Sequence, residues 1–182
     1  MARLVLVRHA EPDASWGEHP DPGLSALGVR QAEEPARSLA GLGRVDIVTS
    51  PLLRARQTAA PLERRVGLTA RVDARFGEIA TPRGLSIPRV DWLREVLAGR
   101  WADVDASTRA WRAELLEAVR ATRDPTVVFT HFVAINVVVG VATGNDGVWA
   151  FSPAHASVTV VDVARADLSV ITLGNQAETR VR

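Results

Sequence analysis

The 182 residues carry 22 basic side chains, all arginine, against 21 acidic ones, for a formal net charge of +1. That balance gives no electrostatic case for nucleic acid or an anionic membrane as partner, so any anion binding must be local. The absence of cysteine and lysine removes disulfides, thiolate metal sites, cysteine nucleophiles, Schiff-base chemistry and a P-loop lysine.

A chain of this length is expected to form one domain, residues 1–182, burying roughly 70% of its unfolded surface. "LVLV" (4–7) reads as a buried strand within residues 3–8, and Arg8 and His9 fall where it leaves the sheet. Residues 24–43 read as a helix capped by Ser25 and stopped by Gly41 and Gly43, with Pro35 as a kink. "VDIVTS" (45–50) is a second strand. A helix over 50–65 follows, with Ser50 as cap and Pro51 in its first turn. "LTARVD" (68–73) suits a third strand. The Pro- and Gly-rich stretch 81–93 begins a lid or insertion spanning about 80–110. Residues 107–122 are amphipathic, with Trp111, Leu115, Ala118, Val119 and Thr122 at helical spacing. "PTVVFT" (125–130) is a fourth strand. The apolar run 132–144 is a buried helix ending at Gly144, and 156–173 forms two strands joined by a turn at "ARAD".

Strands alternating with helices imply an α/β fold: a three-layer α/β/α sandwich with a mostly parallel sheet. Ligands bind such folds at the carboxyl ends of strands. "RH" after the first strand, "TSPLLR" after the second and "THF" after the fourth all fall there. Arg8 and Arg54 offer planar forks that match phosphate oxygens, and helix N-termini favour the same charge. His131 adds a donor at the start of the helix after the fourth strand. His9 is then a nucleophile candidate: a neutral imidazole attacks phosphorus if its other nitrogen keeps a proton held by a carbonyl or carboxylate.

Other motifs fail on composition or context. "GLSALG" has one residue too many for a nucleophile elbow. "HAE" lacks the cysteines of a zinc deaminase. There is no HExxH, and four scattered histidines make no zinc site. "GLG" at 41–43 lacks the third glycine of a dinucleotide loop.

"LVLVRHAEP" resembles the RHG signature of the histidine phosphatase (phosphoglycerate mutase-like) superfamily. Leu24, Ser25, Gly28, Gln31 and Ala32 are similar to its L-[ST]-x-x-G-x-x-Q-A element. "TSPLLRARQTA" (49–59) resembles S-x-L-x-R-A-x-x-T-A, and "VVFTHFVAI" (127–135) resembles the strand bearing the second histidine. The four elements run in the family's order over most of the chain.

The resemblance implies a phosphoglycerate mutase-like fold and a metal-independent phosphatase acting on phosphomonoesters through a phosphohistidine intermediate on His9. Arg8, Arg54 and His131 would bind the phosphoryl group. Glu78 would be the proton donor, with Asp73 and Asp13 behind it. No cofactor is implied. The expected partners are a small phosphorylated substrate and inorganic phosphate as product, with no nucleic acid and no membrane, in the cytoplasm. Arg83 and Arg89 would meet a second acidic group on a substrate. The other readings are a phosphoglycerate-type mutase and a non-catalytic phospholigand-binding module.

The chain departs from the family pattern in four places. Ala10 and Phe132 replace glycines after the two histidines. Ala10 is expected to fit if its backbone angle is ordinary, and Phe132 to narrow the pocket. His155 stands where the late N-x-S element has asparagine. The segment after "RHAE" is shorter than the mutase loop and lacks its asparagine, which weighs against mutase activity.

Overall fold

The computed structural model describes residues 2–14, 19–82, 84–164 and 167–177. Strand β1 (Ala2–Arg8) lies between β4 (Thr126–Thr130) and β5 (Val158–Ala164). With β2 (Asp46–Thr49), β3 (Arg71–Val72) and β6 (Asp167–Thr172), they form one six-stranded sheet of order β3-β2-β4-β1-β5-β6. The pairings among β3, β2, β4 and β1 are parallel, while β5 and β6 add antiparallel. The expected largely parallel sheet is therefore mixed, since the final hairpin extends one side.

The strands are buried on both faces, which is why they read as continuous apolar runs. Leu4 and Leu6 of β1 point to one core cluster, with α5 (Ala106–Arg120) and α6 (Phe132–Thr143). Val5 and Val7 alternate to the other cluster, under α2 (Glu33–Leu39) and α3 (Leu53–Val66). Helix α4 (Arg89–Ala98) adds Trp92 and Leu93 to the first cluster. Two layers of helix thus sandwich the sheet, as expected.

Several local expectations need correction. The helix over 24–43 is two helices, α1 (Ala26–Gln31) and α2, breaking just before Pro35 enters the first turn of the second. The helix predicted from Ser50 begins at Leu53, so Ser50 and Pro51 precede it. Its backbone start is held from outside: the Leu53 N–H donates to Asp21 Oδ1 at 2.9 Å. The third strand shrinks to two exposed residues at the sheet edge. The turn at Arg165 and Ala166 and the side chain of Arg83 lie outside the described residues.

Candidate active site

The carboxyl ends of β1, β2 and β4 bring Arg8, His9, Ser50 and His131 together, and α3 adds Arg54 from its second residue. The His9 N–H donates to the Thr130 carbonyl, extending the β1–β4 ladder one residue past the strand. His9 is 2% exposed and its ring centroid lies 5.2 Å from that of His131. Its Nδ1 lies 2.8 Å from the Ala10 carbonyl oxygen. A carbonyl only accepts, so Nδ1 carries the proton and Nε2 keeps its lone pair. Burial pushes His9 well below the usual imidazole value, and His131, Arg8 and Arg54 push the same way. The ring is thus neutral at physiological pH, in the tautomer that phosphoryl attack requires.

The two helical motif elements act on the backbone just after His9. Thr58 accepts the Ala10 N–H at 3.0 Å and donates to the Arg54 carbonyl at 2.6 Å. Gln31 Oε1 accepts the Glu11 N–H at 2.9 Å, and the Ser25 N–H donates to the Glu11 carbonyl at 3.0 Å. Gly28 lets α1 approach this closely, since a Cβ there would stand 2.0 Å from the Glu11 carbonyl oxygen. Ala10 fits with no positive φ, and Ala156 is the sole non-glycine residue with one among the described residues.

Arg8 is 8% exposed, with Nη1 donating to the Pro153 carbonyl at 2.7 Å. Burial lowers its pKa to about 10, against the pull of the Glu78 charge. Arg54 is half-buried and 3.8 Å from Asp21 Oδ1. His131 is fully buried and neutral, its pKa pushed well down by burial and by Arg54 and Arg8. Its Nε2 lies 2.7 Å from Ser50 Oγ, and its Nδ1 has no hydrogen-bond partner among the described residues. Ser50 Oγ also accepts the Leu52 N–H. Ser50, read from sequence only as a helix cap, is therefore the residue that orients the second imidazole. Its place at the head of S-x-L-x-R is the signal that could have found it.

Glu78 is delivered by the segment after the 3-10 turn Ala74–Phe76, which Thr130 fixes by donating to the Phe76 carbonyl at 2.7 Å. Its carboxyl accepts the N–H groups of Ile79 at 3.0 Å and Val133 at 3.2 Å, at the N-terminus of α6. Burial nevertheless raises its pKa above the ordinary carboxylate value, outweighing those bonds and the nearby arginines. Asp73 and Asp13 do not join it. Asp73 is claimed by Arg71 and Arg75, and Asp13 is an exposed loop residue.

A cavity of about 540 Å³ opens onto His9, Arg54 and Glu78, with Ile79, Thr81 and Arg89 on its wall. His19, an exposed loop residue, reaches the same cavity. Phe132 does not narrow the cavity: its ring turns to Arg8, whose Cζ lies 5.2 Å from the ring centroid. His155 is half-buried with its ring 5.7 Å from that of His9, and burial beside Arg8 lowers its pKa to about 4. This third imidazole was legible only as a departure from the motif.

His9, Arg54 and Glu78 thus share one hollow, with the His131 ring packed against His9 and the buried Arg8 guanidinium close enough to act on its charge. Residues 4–176 match the histidine phosphatase superfamily (branch 1). The chain belongs to this superfamily. Among curated superfamily proteins, it is 35% identical to glucosyl-3-phosphoglycerate phosphatase of Mycobacterium tuberculosis over 118 residues, 62% of this chain and 48% of that protein. It therefore spans about half the length of that relative. An uncharacterised M. tuberculosis protein is 32% identical over 146 residues, 71% of this chain and 72% of that one. Among solved structures, a mycobacterial glucosyl-3-phosphoglycerate phosphatase complexed with VO3 superposes with a TM-score of 0.70. The identity there is 25%, covering 97% of this chain and 100% of that chain. An Entamoeba histolytica phosphoserine phosphatase shares the fold, with a TM-score of 0.75 at 17% identity over 97% and 98% of the two chains.

Proposed function

We propose that this histidine phosphatase superfamily chain is a metal-independent phosphatase of small phosphomonoesters, working through a phosphohistidine on His9. The observation that carries the reading is the neutral His9 ring, its Nδ1 proton committed to Ala10, in a cavity shared with Arg54 and Glu78. In the first step the Nε2 lone pair attacks phosphorus and the ester P–O bond breaks. The leaving alkoxide takes the Glu78 proton. In the second, Glu78 takes a proton from water, the water oxygen attacks phosphorus and the P–N bond breaks. Inorganic phosphate leaves and Nε2 recovers its lone pair. Arg8, Arg54 and a His131 N–H stabilise the equatorial oxygens in both steps.

The segment about 80–110 supplies Ala80, Thr81 and Arg89 to the cavity wall, which supports a role in selecting the leaving group. Arg89 is held by Thr81 Oγ1 at 2.6 Å and the Ile79 carbonyl at 3.4 Å, where a second acidic group on a substrate would meet it. The proposed compartment is the cytoplasm, where small phosphate esters are made and consumed; cell fractionation checks it.

Hydrolysis of an aryl phosphate in the presence of a chelator tests the scheme. Turnover is expected to persist, an acid-labile phosphoenzyme to be trapped on rapid quench, and His9→Ala to abolish both. Loss of activity with chelator, or undiminished turnover in His9→Ala, refutes it.

A further inference from the structure

A buried guanidinium must be held in place, and the manner of holding decides what it can still bind. A carboxylate partner would cancel the charge of Arg8 and occupy its fork of donors. Arg8 is held otherwise. Its Nη1 donates to the Pro153 carbonyl, its Cζ lies over the Phe132 ring, and its buried Nε has no partner among the described residues. An aromatic face attracts a cation through the ring quadrupole and takes none of its in-plane N–H groups. The ring therefore leaves the donors that Pro153 does not hold to oxygens in the plane of the guanidinium.

The seat is itself braced. The Phe132 ring meets Trp149 edge to face, with centroids 5.5 Å apart at 87°. Trp149 Nε1 donates to Ser152 Oγ at 3.2 Å. Asn136, one turn into α6 and fully buried, donates to the Phe132 carbonyl at 2.9 Å. Its Oδ1 accepts the N–H groups of Ala150 at 2.7 Å and Phe151 at 2.9 Å. The loop that supplies both Trp149 and the Pro153 carbonyl is thus bolted to the helix that supplies Phe132. The usual motif glycine at position 132 would offer no ring here.

We propose that Phe132, braced by Trp149, is a positioning residue that seats the Arg8 guanidinium for phosphoryl binding without touching substrate. The inference rests on reading Arg8 as a phosphoryl-binding cation.

Phe132→Leu removes the π face, Phe132→Tyr keeps it, and Trp149→Leu removes the brace at a position 38% exposed. Calorimetric titration with orthovanadate and with inorganic phosphate reads the effect, alongside kcat/KM on an aryl phosphate and the unfolding midpoint. Phe132→Leu is expected to weaken vanadate about tenfold and phosphate about threefold, since misalignment costs most at the trigonal-bipyramidal geometry. Phe132→Tyr is expected within about twofold of the parent, and Trp149→Leu about threefold weaker for vanadate. Parental vanadate affinity in a folded Phe132→Leu or in Trp149→Leu overturns the inference. So does a Phe132→Tyr as impaired as the leucine variant. A parent protein that binds vanadate but hydrolyses no ester refutes the proposed activity and leaves these affinity comparisons intact. An active parent whose Phe132→Leu binds normally refutes the Arg8 seat alone.

Discussion

Asp73 and Glu78 stand five residues apart and live in opposite electrostatic worlds. Asp73 caps the 3-10 turn through the Arg75 N–H, and its oxygens meet Arg75 at 2.6 Å and Arg71 at 3.0 Å. Those bonds hold its carboxyl well below the usual aspartate range, with Arg75 the leading cause. Glu78 meets arginines only at a distance and is 9% exposed, so burial dominates and its pKa rises. A carboxyl whose pKa is raised holds its proton to higher pH and can give one to a leaving oxygen, and one pinned as an anion cannot. The neighbours decide the chemistry, and sequence position does not.

The comparison breaks most readily at Glu78. Glu78→Gln is expected to lower kcat on alkyl phosphates by about 10²-fold or more, and less on aryl phosphates, whose leaving groups need no proton. Steady-state rates on a matched ester series check this, and equal losses across the series contradict the proton-donor role. Because the Glu78 pKa is raised, its acid form persists to higher pH than that of a free glutamate. The alkaline limb of the kcat profile in the parent should therefore lie above the ordinary carboxylate value and vanish in the variant.

A smaller effect is expected at Ser50. Ser50→Ala leaves the buried His131 Nε2 without its partner, and kcat/KM should fall about tenfold while the fold survives. Parental kcat/KM would show that the hydroxyl does not orient the ring.

The smallest catalytic effect falls on Asp73. Asp73→Asn should change kcat less than about twofold and cost about 1–2 kcal/mol of stability at pH 7, the exposed arginines limiting the loss. Because the folded pKa is depressed, that stability is present above the ordinary aspartate value. It is lost as pH falls below about 4 toward the folded value. Denaturant unfolding of both proteins at pH 7 and pH 3 should show the gap closing in acid. A gap of constant size, or a large kcat loss, would erase the contrast with Glu78.

Much of the fold was legible because it is written in local patterns. The strands announce themselves as apolar runs since both faces are covered, and Gly144 ends α6 in the left-handed conformation expected of it, φ 69°. The errors sit where tertiary contacts override local signals. Ser50 looks like a helix cap, yet His131 claims its hydroxyl, and Asp21, a loop residue, holds the start of α3 instead. The third strand shortens because an edge strand has one partner and no burial to extend it. Phe132 looked like an obstruction, because sequence does not tell which way a ring at a helix start will turn.

The order of Arg8–His9, Ser25–Gly28–Gln31, Arg54–Thr58 and His131 along the chain was enough to name the family and the residues meeting at the strand ends. Such motifs are local, and their spacing survives in one dimension. Charge state is not local. Which carboxyl has its pKa raised, which hydroxyl meets the second imidazole, and what holds Arg8 all depend on burial and on partners tens of residues away. Only the folded chain assembles those distances, so the tertiary structure alone decided them.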